Sequence, residues 1–372
     1  MGRSARAGTC GGRGHGADMS AALVDRIAKA VLYEGYMLYP YRPSAIKNRQ
    51  RFNFGVVYPR AYCEAQGGTD ACSMQTECLV VANDATQCRV RVRFLRVVTR
   101  SIEKLAAPVA ECHSFWELET EKVDSMEAAG KTYRPWQEAV EEEIEVAEFV
   151  VFDLANEPMS WPFRLSAKSD REEIRDGAGQ IVGIIVREQE PLAGVIDLSA
   201  QQLRDGLSRV TARLSNSTRT EAHEPLNRER ALSHALVSAH TILEVRGGEF
   251  VSLIDPPEEF HEAAAKCQNV GTWPVLTGED GRRDTMLSSP IILYDYPEIA
   301  PESPGDLFDG AEIDEILSLR IMTMTEEEKR EMRQSDDRAR QILERTENLP
   351  EEQFMKLHGA LRGLRPANGK MP

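Results

Sequence analysis

Thiols and imidazoles are the side chains of this sequence best suited to metal or nucleophilic chemistry, and their spacing decides how far that chemistry reaches. Cys63, Cys72, Cys78, Cys88, Cys112 and the adjacent His113 crowd into a short interval, with Cys10 and Cys267 outside it. Zinc sites are commonly built on C-x2-C knuckles, because two thiolates on one tight turn reach the same ion. No knuckle is present, so these cysteines read as small buried hydrophobes and no metal ligand or cofactor is assigned. Seven is also an odd number, which suits a reducing compartment better than a disulfide framework. Histidines 223, 234, 240, 261 and 358 share no helical face. His240 stands out, and is expected to be a strand residue whose ring is satisfied locally.

Two near-motifs fail on one residue each. "SMEAAGKT", 125–132, lacks the first glycine of a phosphate loop, where Ser125 stands, and the acidic "ELETEKVD" before it is no buried strand. "HEAAA", 261–265, has Ala265 where a metalloprotease helix needs its second histidine. The simpler reading is a surface helix after Pro257. No G-x-S-x-G elbow exists, and no strand precedes the glycines at 12, 14 and 16, which excludes a dinucleotide fingerprint. No catalytic residue is therefore assigned.

Binding chemistry is better represented. Residues 33–62 hold six of the nine tyrosines, with Arg42, Lys47, Arg49, Arg51 and Arg60 against the single acid Glu34. Such interleaving stacks on bases or anchors protein interfaces. The plain alternative is that the tyrosines are sheet core and the bases a solvated face; of the two binding readings, the net charge of −15 disfavours nucleic acid and favours the protein interface. Its expected contact residues are Tyr39, Tyr41, Arg42, Lys47, Asn48, Arg49 and Arg51. A counterpart, 284–319, has no Lys or Arg and carries Asp295, Asp306 and Asp309 among its acids, with four prolines that keep it extended. The acidic ribbon is expected to fold against the basic stretch or to meet a partner. The alternative is a hydrolytic or metal-assisted enzyme using His240, Glu249, Asp255 and the ribbon.

The elements that must position these groups follow from periodicity. "AALVDRIAKAVLYEG" after Ser20 places Leu23, Ile27, Ala30 and Val31 on one helical face. Phe52, Phe54 and Val56 alternate like a half-buried strand. From 78 to 255 short β runs dominate, among them "CRVRVRFLRVV", "QIVGIIV" and "LSRVTARLS", with "RDGAG" as a tight reversal and "HTILEVRGGEFVSLID", 240–255, as the clearest hairpin. The Glu-rich interval 119–148 reads as solvent-facing helix or linker. Thr325 and Glu328 have capping-box spacing and open a helix expected over 326–347, and Pro350 starts another.

The fold class is thus α+β: mainly antiparallel sheet, a sandwich being one form of it, with a short N-terminal helix and a helical C-terminal part. The expected organisation is a disordered extension over 1–19, a β region over 20–282, an acidic Pro-rich segment over 283–324 and helices over 325–372. No apolar run spans a bilayer and no secretory signal opens the chain, so a cytoplasmic protein with no transmembrane segment is expected.

"LYEGYMLYPYRPSAIKNRQRFNFGVVYP" and "RDTMLSSPIILYDYPEIAPESPGDLFDGAEIDEIL" resemble uncharacterised bacterial proteins encoded beside high-affinity, aerobic-type uptake nickel–iron hydrogenases. The resemblance runs from about residue 23 to the end. It implies a role in assembly, maturation or support of a hydrogenase, with a hydrogenase subunit or maturation factor as partner, and it carries no catalytic residues. It also raises the interest of the cysteine group as a transient nickel or iron–sulfur handling site.

Overall fold

The protein is described by a computed structural model covering residues 14–33, 52–112, 114–115, 118–220, 227–298, 324–335, 340, 343–344 and 347–348. The chain opens with α1 (Gly14–Leu32) and α2 (Arg60–Ala65), followed by β1 (Ser73–Val81) and the long β2 (Gln87–Val109). Next come β3 (Thr120–Val123), β4 (Met126–Ala128), β5 (Lys131–Tyr133), β6 (Trp136–Val150) and α3 (Val151–Asn156). Five strands continue: β7 (Met159–Leu165), β8 (Lys168–Arg175), β9 (Ile181–Gln189), β10 (Leu192–Arg204) and β11 (Leu207–Asn216). After α4 (Arg228–Ser233) come β12 (Val237–Arg246), β13 (Glu249–Val251), α5 (His261–Ala265), β14 (Trp273–Leu276), β15 (Thr285–Ser289) and α6 (Glu326–Ser335).

Every strand pair among the described residues is antiparallel. One sheet runs β13-β1-β11-β10-β7, and the other runs β14-β15-β12-β2-β9-β8, with β3 and β6 also paired to β2. Alternate residues explain why they stack. Met74, Cys78 and Val80 of β1, with Val210, Ala212 and Leu214 of β11, share one core with Val90, Val92 and Phe94 of β2 and Leu243 and Val245 of β12. The fold is a sandwich closed over that core. Period-2 sequence, with one face apolar, leaves each sheet few other ways to leave water.

The opposite face of the larger sheet is covered by helices. Val24, Ile27, Ala28 and Val31 of α1 pack on Ile242, Val275 and Leu287. Leu95 and Val97 lie in another cluster with Tyr58, Tyr62 and Cys63. Of the stripe predicted for α1, Ile27 and Val31 are buried and Leu23 partly so, with Val24 and Ala28 completing the face; the helix begins at Gly14 rather than at Ser20, and nothing in the sequence explains the earlier start. At the other end Thr325 N–H donates to Glu328 Oε2 at 2.9 Å and Glu328 N–H to Thr325 Oγ1 at 3.2 Å, which closes the predicted capping box. The helix after Pro350 lies outside the described residues.

Three expectations are corrected. The interval 119–148 is strand, not helix or linker: β3 pairs Ile102–Leu105 and β6 pairs Gln87–Arg100. Its glutamates face cross-strand arginines, Arg93 with Glu143 at 2.7 Å and Arg100 with Glu138 at 2.8 Å, so their charge reports a sheet partner rather than a solvated helix face. Within it Ala129 and Gly130, both at positive φ, form a two-residue turn between β4 and β5, which turns the near phosphate loop into a hairpin. Second, 240–255 is no hairpin, because β12 pairs β2 and β15 while β13 pairs β1. The Gly247–Gly248 step carries the chain from one sheet to the other. A Cβ on Gly248 would meet Val81 O and Thr86 Cγ2, each at 2.7 Å, and the Thr86 hydroxyl donates to Gly247 O at 2.8 Å. Third, 52–56 forms no strand, since Phe52 and Gly55 sit at φ +61° and +52°; a single bridge, Val57 to Leu236, is made there.

Candidate functional site

Tyr39, Tyr41, Arg42, Lys47, Asn48, Arg49, Arg51, Asp306 and Asp309 lie outside the described residues. What the structure does show is that the ends of their two segments meet. A Cβ on Gly55 would fall 2.4 Å from Pro290 Cγ, so the backbone of the first segment touches the proline of the second. Both press on a β-bulge where Val237 pairs Leu95 but His240 pairs Arg93. The extra residue puts Ser238 at φ +51°. Ser238 N–H donates to Phe54 O at 3.1 Å and Ala239 N–H to Gly55 O at 3.0 Å, so the bulged amides are satisfied by the 52–57 loop instead of by β2.

His240 sits at the centre of this junction, fully buried. Its Nδ1 is 2.7 Å from Ser238 O, and a carbonyl only accepts, so Nδ1 carries the proton. Nε2 is then left to accept from the Ser289 hydroxyl at 3.2 Å. Burial drives the imidazole pKa down to about 4, against the Ser238 carbonyl bond and with help from the Arg93 guanidinium. A hydroxyl on a neutral, oriented imidazole resembles a nucleophile with its base, but both residues are buried in full. The bond fixes the bulge to β15. Glu249 lies on β13 in the other sheet, and the ring hydrogen bonds of His240 are with Ser238 and Ser289 rather than with Glu249 or Asp255.

Asp295, the one expected contact residue within the described set, is half-buried and internal in role. Its carboxylate accepts from the Ser252 hydroxyl at 2.5 Å and from Leu276 N–H at 2.8 Å. Tyr296 adds N–H to Leu276 O at 2.7 Å and its hydroxyl to Arg282 O at 2.9 Å. Ser289 pins the other end by accepting Ile291 N–H at 3.1 Å. Between these anchors the side chains alternate. Ile291 and Leu293 pack toward α1, whereas Ile292 and Tyr294 stand 72% and 81% exposed. The alternation of "PIILYDY" could have signalled this presentation; the clamping role of Asp295 could not be read, because its partners are 43 and 19 residues away.

Beside the junction, α1 spans a ladder of charge. Arg91 meets Asp25 at 2.9 Å, Glu244 at 3.3 Å and Glu143 at 3.5 Å, and Arg93 meets Glu143 and Asp25. A hollow of about 420 Å³ opens there, lined by Asp25, Arg26, Lys29, Arg93 and Glu141–Glu143. Its mixed signs favour no single ligand charge. Among the described residues, no group of three or more His, Cys, Asp or Glu side chains is placed to hold a metal ion.

Among the described residues the chain is mainly antiparallel β-sheet, two large sheets sharing one core, with helices on the outer face of the larger. No protein-family model and no curated protein matches the chain. Among the described residues no helix is long and apolar enough to cross a membrane.

Proposed function

We propose that this protein is a non-catalytic accessory module that works by holding another polypeptide. One observation carries the reading: Ile292 and Tyr294 are displayed to solvent on a segment bolted at both ends, by Ser289 and by Asp295 with Tyr296. An exposed aliphatic and aromatic pair on a pre-ordered backbone is the composition of an interface hot spot, and it loses little entropy on binding. The resemblance of the flanking segments to proteins encoded beside uptake nickel–iron hydrogenases names the first partners to try, a hydrogenase subunit or a maturation factor.

The test is affinity purification of the tagged chain from its host, in parallel with an Ile292→Ala/Tyr294→Ala variant. The wild type should retain a defined partner that the variant loses by tenfold or more, while both melt at the same temperature because neither side chain is part of the core. Equal recovery of partner with both chains would overturn the reading.

A further inference from the structure

Cys63 and Cys72 are brought together by a small closed loop. Cys63 lies on α2 and is buried; Cys72 precedes β1 and is half-exposed, packed against the same cluster. Tyr58 N–H donates to Ala71 O at 2.8 Å and Gly68 N–H to Cys63 O at 2.9 Å, so the chain leaves α2 and returns alongside it. The return is made by Gly67 and Gly68 at φ +71° and +77°, a left-handed pair that a side chain would strain. Beyond it, Asn216 N–H donates to Cys72 O at 3.1 Å, which ties the second cysteine to β11. Both side chains meet the same buried cluster, and burial, helped by the neighbouring Cys72 thiol, raises the Cys63 pKa.

We propose that Cys63 and Cys72 are a modification site, a dithiol that a mild two-electron oxidant of the peroxide class converts reversibly to a disulfide. The half-exposed Cys72 meets peroxide first. Its sulfur takes one oxygen as the O–O bond breaks, giving a sulfenic acid and one water. The Cys63 sulfur then attacks Cys72 Sγ; the S–O bond breaks, and hydroxide departs with the Cys63 proton as a second water. Two thiols and one peroxide thus give one disulfide and two waters, and an external thiol reverses the change. Burial, with Cys72 and Asp70, pushes the Cys63 thiol up to about 11, which suits a resolving partner and not the first site of attack.

The loop is well placed to pass its state on. Asp70 inside the loop is a charged neighbour of Tyr62 on α2, and Tyr58 neighbours Arg228, whose guanidinium donates to Phe52 O at 3.3 Å and to Asn53 Oδ1. A covalent link would fix the end of the aromatic, basic segment to β1.

The experiment uses the full chain treated with low hydrogen peroxide, then alkylated and cut by a glutamate-specific protease. Cleavage after Glu64 and Glu77 puts Cys63 and Cys72 on separate peptides, with Cys78 and Cys88 on a third. Two fewer alkylatable thiols, a loss of two mass units and a reducible link between the first two peptides are expected. Cys63→Ser should leave an unresolved sulfenic acid at Cys72 that a dione probe traps, and Cys267→Ser should leave the link intact. Separate peptides at peroxide levels that already oxidise Cys72 further, or a link to any other cysteine, would overturn the proposal. The wild-type map alone decides it if a variant fails to fold.

Discussion

The two faces of β2 solve burial in opposite ways. Toward the second sheet, Cys88, Val90, Val92 and Phe94 are sealed in an apolar core. Toward α1, Arg89, Arg91 and Arg93 are ringed by Glu143, Glu145, Glu244 and Asp25, whose carboxylates keep between 23% and 53% of their surface. The first face draws its stability from area removed from water, on the order of 25 cal/mol per Å². The second offsets desolvation of its cations by Coulomb attraction, and the water still present screens much of it. The inner face therefore holds the sandwich together, and the outer one sets where α1 lies.

The largest expected effect is Phe94→Ala, which empties a fully buried site against Phe163 and should cost about 3 to 5 kcal/mol in urea unfolding. Should Asp25→Ala cost as much, the division between the faces fails. Next is acidity. His240 is neutral in the fold, with its pKa lowered from 6.5 to about 4, so the unfolded chain binds the extra proton across that interval. Its stabilisation is complete above pH 6.5 and is lost as pH falls through that window toward 4, by about 3 kcal/mol. The pH slope of unfolding between 7 and 4 should flatten by that amount in His240→Gln. The smallest effect belongs to the ladder. A double-mutant cycle between Asp25→Ala and Arg91→Met should give a coupling near 1 kcal/mol or less, since Asp25 is 44% exposed, and it should shrink with added salt.

How much of this could be read in advance follows the same division. Strands β1, β9, β10 and β11 announce themselves, because an apolar run (β1, β9) or apolar alternation (β10, β11) depends only on neighbours in sequence. Only the end of β6, from Val146, reads as strand; its Glu138, Glu143 and Glu145 make strand sense only beside arginines of β2 roughly fifty residues earlier. Gly247–Gly248 looked like a primed hairpin turn because its chemistry suits one; the wedge of Thr86, remote in sequence, sends the two arms to different sheets. His240 was correctly expected to be a satisfied strand residue, but the bulge that seals it arises from Phe54 and Gly55. Asp295, expected to contact a partner, also serves as an internal clamp whose partners lie far off in sequence. The other expected contact residues lie outside the described set.

The 23 residues of β2 pair with β3, β6, β9 and β12. During synthesis this spine leaves the ribosome long before β12, and its edge must wait open while the intervening strands are made. Such an edge recruits other chains as readily as its own, and pairing across so many intervening residues is slow. Production of this protein is consequently governed by how well nascent β2 is shielded, and expression at low temperature with abundant chaperone should raise the yield of folded chain more than any change in the finished surface.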